Sequence, residues 1–94
     1  MTRVKARYSG DGYSIVSVGH AGSSESCTAV SAIIGALAGW VDNNAGTFSL
    51  KKGEAMIAFP KGGGAETAMD MAVIGLQQVA KASPGDVSIE LIWE

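Results

Sequence analysis

The chain is poor in the residues that most often carry chemistry. It has one cysteine, one histidine and two prolines, and aromatics make up 6% of its 94 residues. One cysteine cannot close an intramolecular disulfide, which excludes the stapled framework of a small secreted domain. One cysteine and one histidine also fall short of the three or four ligands of a protein zinc site. No metal and no cofactor is therefore expected, and no pair of carboxylates suggests acid–base work. Charged residues are only 17% and the net charge is −2. A nucleic-acid binder would show a basic excess instead, so no direct nucleic-acid contact is expected. The opening run Met1-Thr2-Arg3-Val4-Lys5-Ala6-Arg7 is no signal peptide. The longest low-charge region, Ser26 to Val41, reads as too short and too polar for a membrane span. These absences predict a cytoplasmic protein with a reduced thiol and no membrane.

What is present suits one globular domain over residues 1–94. Hydrophobic residues reach 47%, enough for one modest core at this size. Val4, Ala6 and Tyr8 alternate with Arg3, Lys5 and Arg7, the pattern of a half-buried strand. The turn signal Ser9-Gly10-Asp11-Gly12 leads into a β-branched second strand from Tyr13 to His20, giving a hairpin. On that strand Val16, Val18 and His20 share a face by period two. From Cys27 the period becomes helical through Val30, Ile34, Leu37 and Val41, with Ile33 and Trp40 widening the stripe. Ser24 or Ser26 is the expected N-cap, Glu25 an acidic first-turn residue, and Asp42-Asn43-Asn44 the stop. Gly35 and Gly39 in this helix suggest close packing against the sheet or a partner. Two short strands, Gly46 to Leu50 and Glu54 to Phe59, precede a helix from Ala65 to Ala82 and a strand from Val87 to Trp93. The order ββαββαβ predicts an α+β fold, with two helices packed on one face of a mainly antiparallel sheet.

The two scarce residues fall close together. His20 and Cys27 stand seven positions apart, at opposite ends of a six-residue loop. One ends the second strand and the other opens the first helix, so both lie at one edge of the domain. The unpaired N–H groups and dipole of a helix start favour a thiolate. A histidine in reach can take the thiol proton and later return it. Ser31 follows Cys27 by one helical turn, and Gly19 and Gly22 permit close backbone approach. The bland alternative is a small core cysteine beside a packed or surface histidine. Lys61-Gly62-Gly63-Gly64 before the second helix reads first as a connector. It also suits an anion-binding turn or a lid over a peptide. The basic face Arg3, Lys5 and Arg7 reads as the solvated side of an edge strand, or else as a surface for an acidic or RNA-rich partner.

Gly19-His20-Ala21, then Cys27-Thr28-Ala29-Val30-Ser31-Ala32, resembles the signature of the ribosomal-processing cysteine protease (Prp) family. In that pattern Gly-His-Ala ends a strand, a loop follows, and Cys-x-Ala-x-Ser-Ala opens a helix. The length and the ββαββαβ order fit as well. The resemblance implies a cytoplasmic, homodimeric cysteine endopeptidase that removes the N-terminal extension of a bacterial large-subunit ribosomal protein. Phage-borne relatives imply a structural protein of the particle as substrate instead. It also implies His20 as base, Cys27 as nucleophile, and Gly19 and Ser31 in supporting positions. The family's loop is usually longer and carries an Asp three positions before the Cys. Here Ser24 holds that position with Glu25 next to it, so either Glu25 supplies the acid or activity falls, as in a weaker or retargeted protease. The competing function class is a non-catalytic dimeric module that binds a ribosomal or particle protein without cutting it.

Overall fold

The hairpin forms as β1 (Thr2–Tyr8) and β2 (Gly12–Val18), the second strand stopping short of the expected His20. In a computed structural model that describes residues 1–20 and 22–94, Thr2, Val4 and Ala6 are buried while Arg3, Lys5 and Arg7 are exposed. Ala21, the third residue of the Gly-His-Ala run, lies outside the described residues. The remaining elements are α1 (Ser24–Asn43), β3 (Thr47–Lys51), β4 (Glu54–Pro60), α2 (Ala65–Ala82) and β5 (Val87–Trp93). The five strands make one sheet in the order β3-β4-β2-β1-β5. The pairs β1–β2, β2–β4 and β3–β4 are antiparallel, and β5 runs parallel to β1 at one edge. The α+β fold and the ββαββαβ order are therefore as the sequence predicts.

Both helices lie on the sheet face that carries Val4, Ala6, Ile15, Ile57 and Val87, and their buried stripes join those residues in one core. Ile15, Ile57, Met69 and Leu76 are all below 2% exposed. Burying a side chain of this size contributes about 1.5–3 kcal/mol. The opposite face, with Arg3, Lys5, Arg7, Val18 and Met56, has no helix over it and is exposed.

Three local expectations change. First, α1 begins at Ser24, not Cys27, and its N-cap is Ser23 rather than Ser24 or Ser26. The Ser23 hydroxyl accepts from the Ser26 N–H at 3.2 Å, and Glu25 supplies the acidic first turn. Cap and acid together extend the helix back by one turn. The helix has 20 residues, and an 18-residue stretch of it with a mean hydropathy of 1.3 is long and apolar enough to cross a bilayer, contrary to the shorter Ser26–Val41 reading. Its stripe Val30, Ile34, Leu37, Ala38 and Val41 is packed into the core. Second, β2 stops at Val18, so His20 is not a strand residue. Third, a side chain at Gly35 or Gly39 would meet nothing within 4 Å, so neither glycine packs closely against the sheet. The tight helix–helix approach is at Gly75 of α2, where an added Cβ would lie 3.0 Å from Ile33 Cδ1.

Candidate functional site

Strict alternation would place His20 with Val16 and Val18, on the sheet face away from the helices. Gly19 prevents this. Its φ of +101° lies where L side chains rarely go, and a Cβ there would run into the Met1 carbonyl oxygen. The chain turns at Gly19, whose N–H donates to the Gly53 carbonyl at 2.8 Å. That turn sends His20 to the helix side. It is exposed there, with its ring against Gly53 in the β3–β4 turn. Lys51 pairs with Glu54, leaving Lys52-Gly53 as a two-residue turn. Gly53 has φ +77°, as the second position of a type II turn requires.

Cys27 sits in the first turn of α1 and is exposed. A cleft of about 180 Å³ brings Gly19, His20, Cys27 and Ser31 together. Its helix wall includes Val30 and Ile34, and the facing hairpin contributes Leu50, Gly53 and Ala55. Thus four of the six residues singled out by sequence meet at one place. Ser24 and Glu25 are exposed on the first turn of α1 and do not line the cleft. The Cys27 N–H donates to the Ser23 carbonyl at 3.1 Å, and the Ser26 N–H is taken by the Ser23 hydroxyl. Ser24 and Glu25 remain as the first-turn N–H groups that helix geometry leaves without an intrahelical acceptor.

Two cleft residues escaped the sequence reading. Thr2 and Ser17 are 4% and 7% exposed and line the cleft from β1 and β2. Their signal was a polar residue at an inward strand position, next to Val4 on β1 and Ile15 on β2. A third residue, Asp86, does not line the cleft but touches its support. The Ser26 hydroxyl donates to Asp86 Oδ2 at 3.3 Å, and the Ser23 hydroxyl donates to the Ser26 hydroxyl at 3.0 Å. Asp86 carried no visible signal, since it lies 60 positions beyond Ser26.

The glycine run is elsewhere. Gly62 and Gly63 line a cavity with Trp40, Asn43 and Asn44, at the far end of α1 from Cys27. Twenty helical residues span about 30 Å, so a lid over the His20–Cys27 cleft is overturned. The Ala65 N–H donates to the Gly62 carbonyl at 3.0 Å, which closes the turn on itself rather than leaving that donor for an anion. Among the described residues no cluster of three metal-ligating side chains occurs.

The fold and cleft define an α+β sheet-and-helix protein that presents one thiol and one imidazole to a groove between a helix and a hairpin. No protein-family model and no curated protein matches the chain. Solved structures do. SMU.848 from Streptococcus mutans matches with a TM-score of 0.80 and 19% identity, over 100% of this chain and 99% of that one. The essential ribosomal processing protease Prp from S. aureus, in complex with a covalently linked product peptide, gives a TM-score of 0.80 and 16% identity, with 100% of both chains covered. A hypothetical protein from Staphylococcus aureus follows at 0.70 and 13%, again over 100% of both. The chain has a Prp-like fold.

Proposed function

We propose that this chain is a cysteine endopeptidase of the Prp kind, with Cys27 as nucleophile and His20 as its acid–base partner. The observation that carries this is the common cleft. Gly19 turns His20 off the sheet into the groove that an exposed Cys27 also lines. The Prp-like fold supports it, because a neighbour of that fold holds a covalently linked product peptide. Cys27 lies within the first helical turn, where the helix dipole favours an anion. The thiolate attacks the scissile carbonyl carbon, the C–S bond forms, and the π pair moves to oxygen. The imidazolium of His20 gives its proton to the leaving nitrogen as the C–N bond breaks. Neutral His20 then takes a proton from water. The resulting attack breaks the C–S bond and restores the thiolate. Ser31, one turn along α1, borders the same groove, and Thr2 and Ser17 offer hydroxyls to a bound peptide backbone.

The substrate in this proposal is the N-terminal extension of a ribosomal protein, or a phage structural protein in a phage-borne setting. The protein acts in the cytoplasm as a homodimer. Replacing Cys27 by Ala should abolish cleavage of a peptide bearing such an extension, while the circular dichroism spectrum stays unchanged. Full cleavage by Cys27→Ala would remove the proposal. The non-catalytic module is the second reading, and exposure of Cys27 weighs only against a buried core cysteine. Iodoacetamide separates the two. A catalytic Cys27 reacts at pH 7 faster than free cysteine, whereas a merely structural one does not.

A further inference from the structure

Asp86 is tied to three parts of the molecule. Its carbonyl accepts from the Thr2 N–H at 2.8 Å, and its own N–H donates to the Ser83 carbonyl at 2.9 Å, so its backbone is pinned between β1 and the end of α2. Its carboxylate accepts from the Ser26 hydroxyl, which in turn accepts from the Ser23 hydroxyl. Ser23 closes the circuit by accepting from the Ser26 N–H and, through its carbonyl, from the Cys27 N–H. A carboxylate only accepts, so it fixes the direction of both hydroxyl protons in this relay. Ser26 is 4% exposed, and a buried hydroxyl without an acceptor is costly. The same carboxylate lies against Gly22, where a Cβ would strike Oδ1. Gly22 and the first turn of α1 are therefore both seated on Asp86.

We propose that Asp86 is a positioning residue for the His20–Cys27 pair, acting through Ser26 and Ser23 to hold the loop and the first turn of α1. This deepens the protease reading and rests on it. The chemistry required of residue 86 is an acceptor oxygen at a fixed place, not a negative charge. Asn keeps that oxygen, whereas Ala removes it, and the two variants carry the same charge.

The test compares wild type, Asp86→Ala, Asp86→Asn and Ser26→Ala. The measurements are kcat and KM for the cleaved peptide, and the rate of Cys27 alkylation by iodoacetamide at pH 7. A small displacement of reacting groups costs one to two powers of ten in rate. Asp86→Ala should lower kcat about tenfold with KM unchanged, and should alkylate more slowly than Asp86→Asn. Asp86→Asn should keep most of the wild-type kcat, and Ser26→Ala should reproduce Asp86→Ala. Wild-type kcat in a folded Asp86→Ala protein overturns the role. Equal impairment of the Ala and Asn variants also overturns it, because charge or general stability would then be the cause. If Asp86→Ala does not fold, Ser26→Ala at wild-type kcat overturns it. Alkylation needs no substrate, so the two proposals fail separately. Equal rates in Asp86→Ala and Asp86→Asn sink the positioning role alone, whereas a wild-type Cys27 no faster than free cysteine sinks the protease reading beneath it.

Discussion

His20 rests on Gly53: a Cβ added at residue 53 would stand 2.8 Å from His20 Nε2 and 3.2 Å from Cε1. The imidazole therefore has its place only because the β3–β4 turn ends in a residue without a side chain. Gly53→Ala should push the ring away and strain a turn position at φ +77°, at a cost of roughly 1–2 kcal/mol. The expected result is a fall in kcat of about tenfold or more, measured on the peptide used for wild type. Gly85→Ala is the control, because a methyl there meets nothing within 4 Å. Equal activities in the two variants would show that Gly53 does not seat His20.

Gly22→Ala tests the same loop from the other side. The new methyl must displace the Asp86 carboxylate, and Ser26 and the Ser23 cap lose their anchor. Loss of a helix cap costs ~1 kcal/mol. Denaturant unfolding should show a decrease of that order together with reduced cleavage. A variant with unchanged stability and unchanged rate would mean that the loop accommodates the methyl elsewhere.

Leu76→Ala separates the core from the site. Leu76 is 0% exposed and sits on α2, away from the cleft residues. Large-to-small substitutions of this kind cost about 2–5 kcal/mol. The unfolding midpoint should drop accordingly, while kcat per folded molecule, measured well below the transition, should match wild type. A specific loss of kcat would instead couple α2 to the cleft.

Much of this was legible because strands and helices leave different periods. The alternation from Arg3 to Tyr8 gave β1 all but Thr2, and α2 and β5 span the expected residues. The pair His20 and Cys27 was legible too, from scarcity and from the Prp-like motif. What was not legible were the links formed across long separations. Gly19 looked like a supporting residue, but only its positive φ shows that it moves His20 from one side of the sheet to the other. Ser23 was hidden in Ser23-Ser24-Glu25-Ser26, where three serines offer similar caps. Thr2 falls before the first strand as the alternation gives it and Ser17 reads as an ordinary strand residue, and only the folded sheet brings the two to one cleft. Asp86 and the Gly75–Ile33 approach depend on partners far along the chain, which period and propensity do not encode.

Tyr8 gives a prediction at high pH. Its ring stacks on Trp93 at 4.1 Å, and its hydroxyl donates to Asp70 at 3.3 Å. Burial, reinforced by the nearby Asp70 carboxylate, pushes its phenol up to about 12 from the ordinary 10.0. The folded state thus holds this proton more tightly than the unfolded state. The stabilisation is complete below pH 10 and is lost as pH rises through about 12. Tyr8→Phe should therefore weaken the decline of the unfolding midpoint between those values. An identical alkaline decline in both proteins would assign it to other groups.

β1 is an inner strand, between β2 and β5, and its register with β5 also sets an order of events. Thr2 pairs with Val87, so β1 waits for a strand made much later in synthesis. The β1–β2 hairpin and α1 can form while synthesis continues, but the anchor at Asp86 arrives only with the approach to β5. Sequence-distant contacts of this kind are the slow ones in folding. A nascent chain would thus carry His20 and Cys27 long before it could hold them in register, which keeps the thiol and the imidazole from being fixed together until β5 has been made.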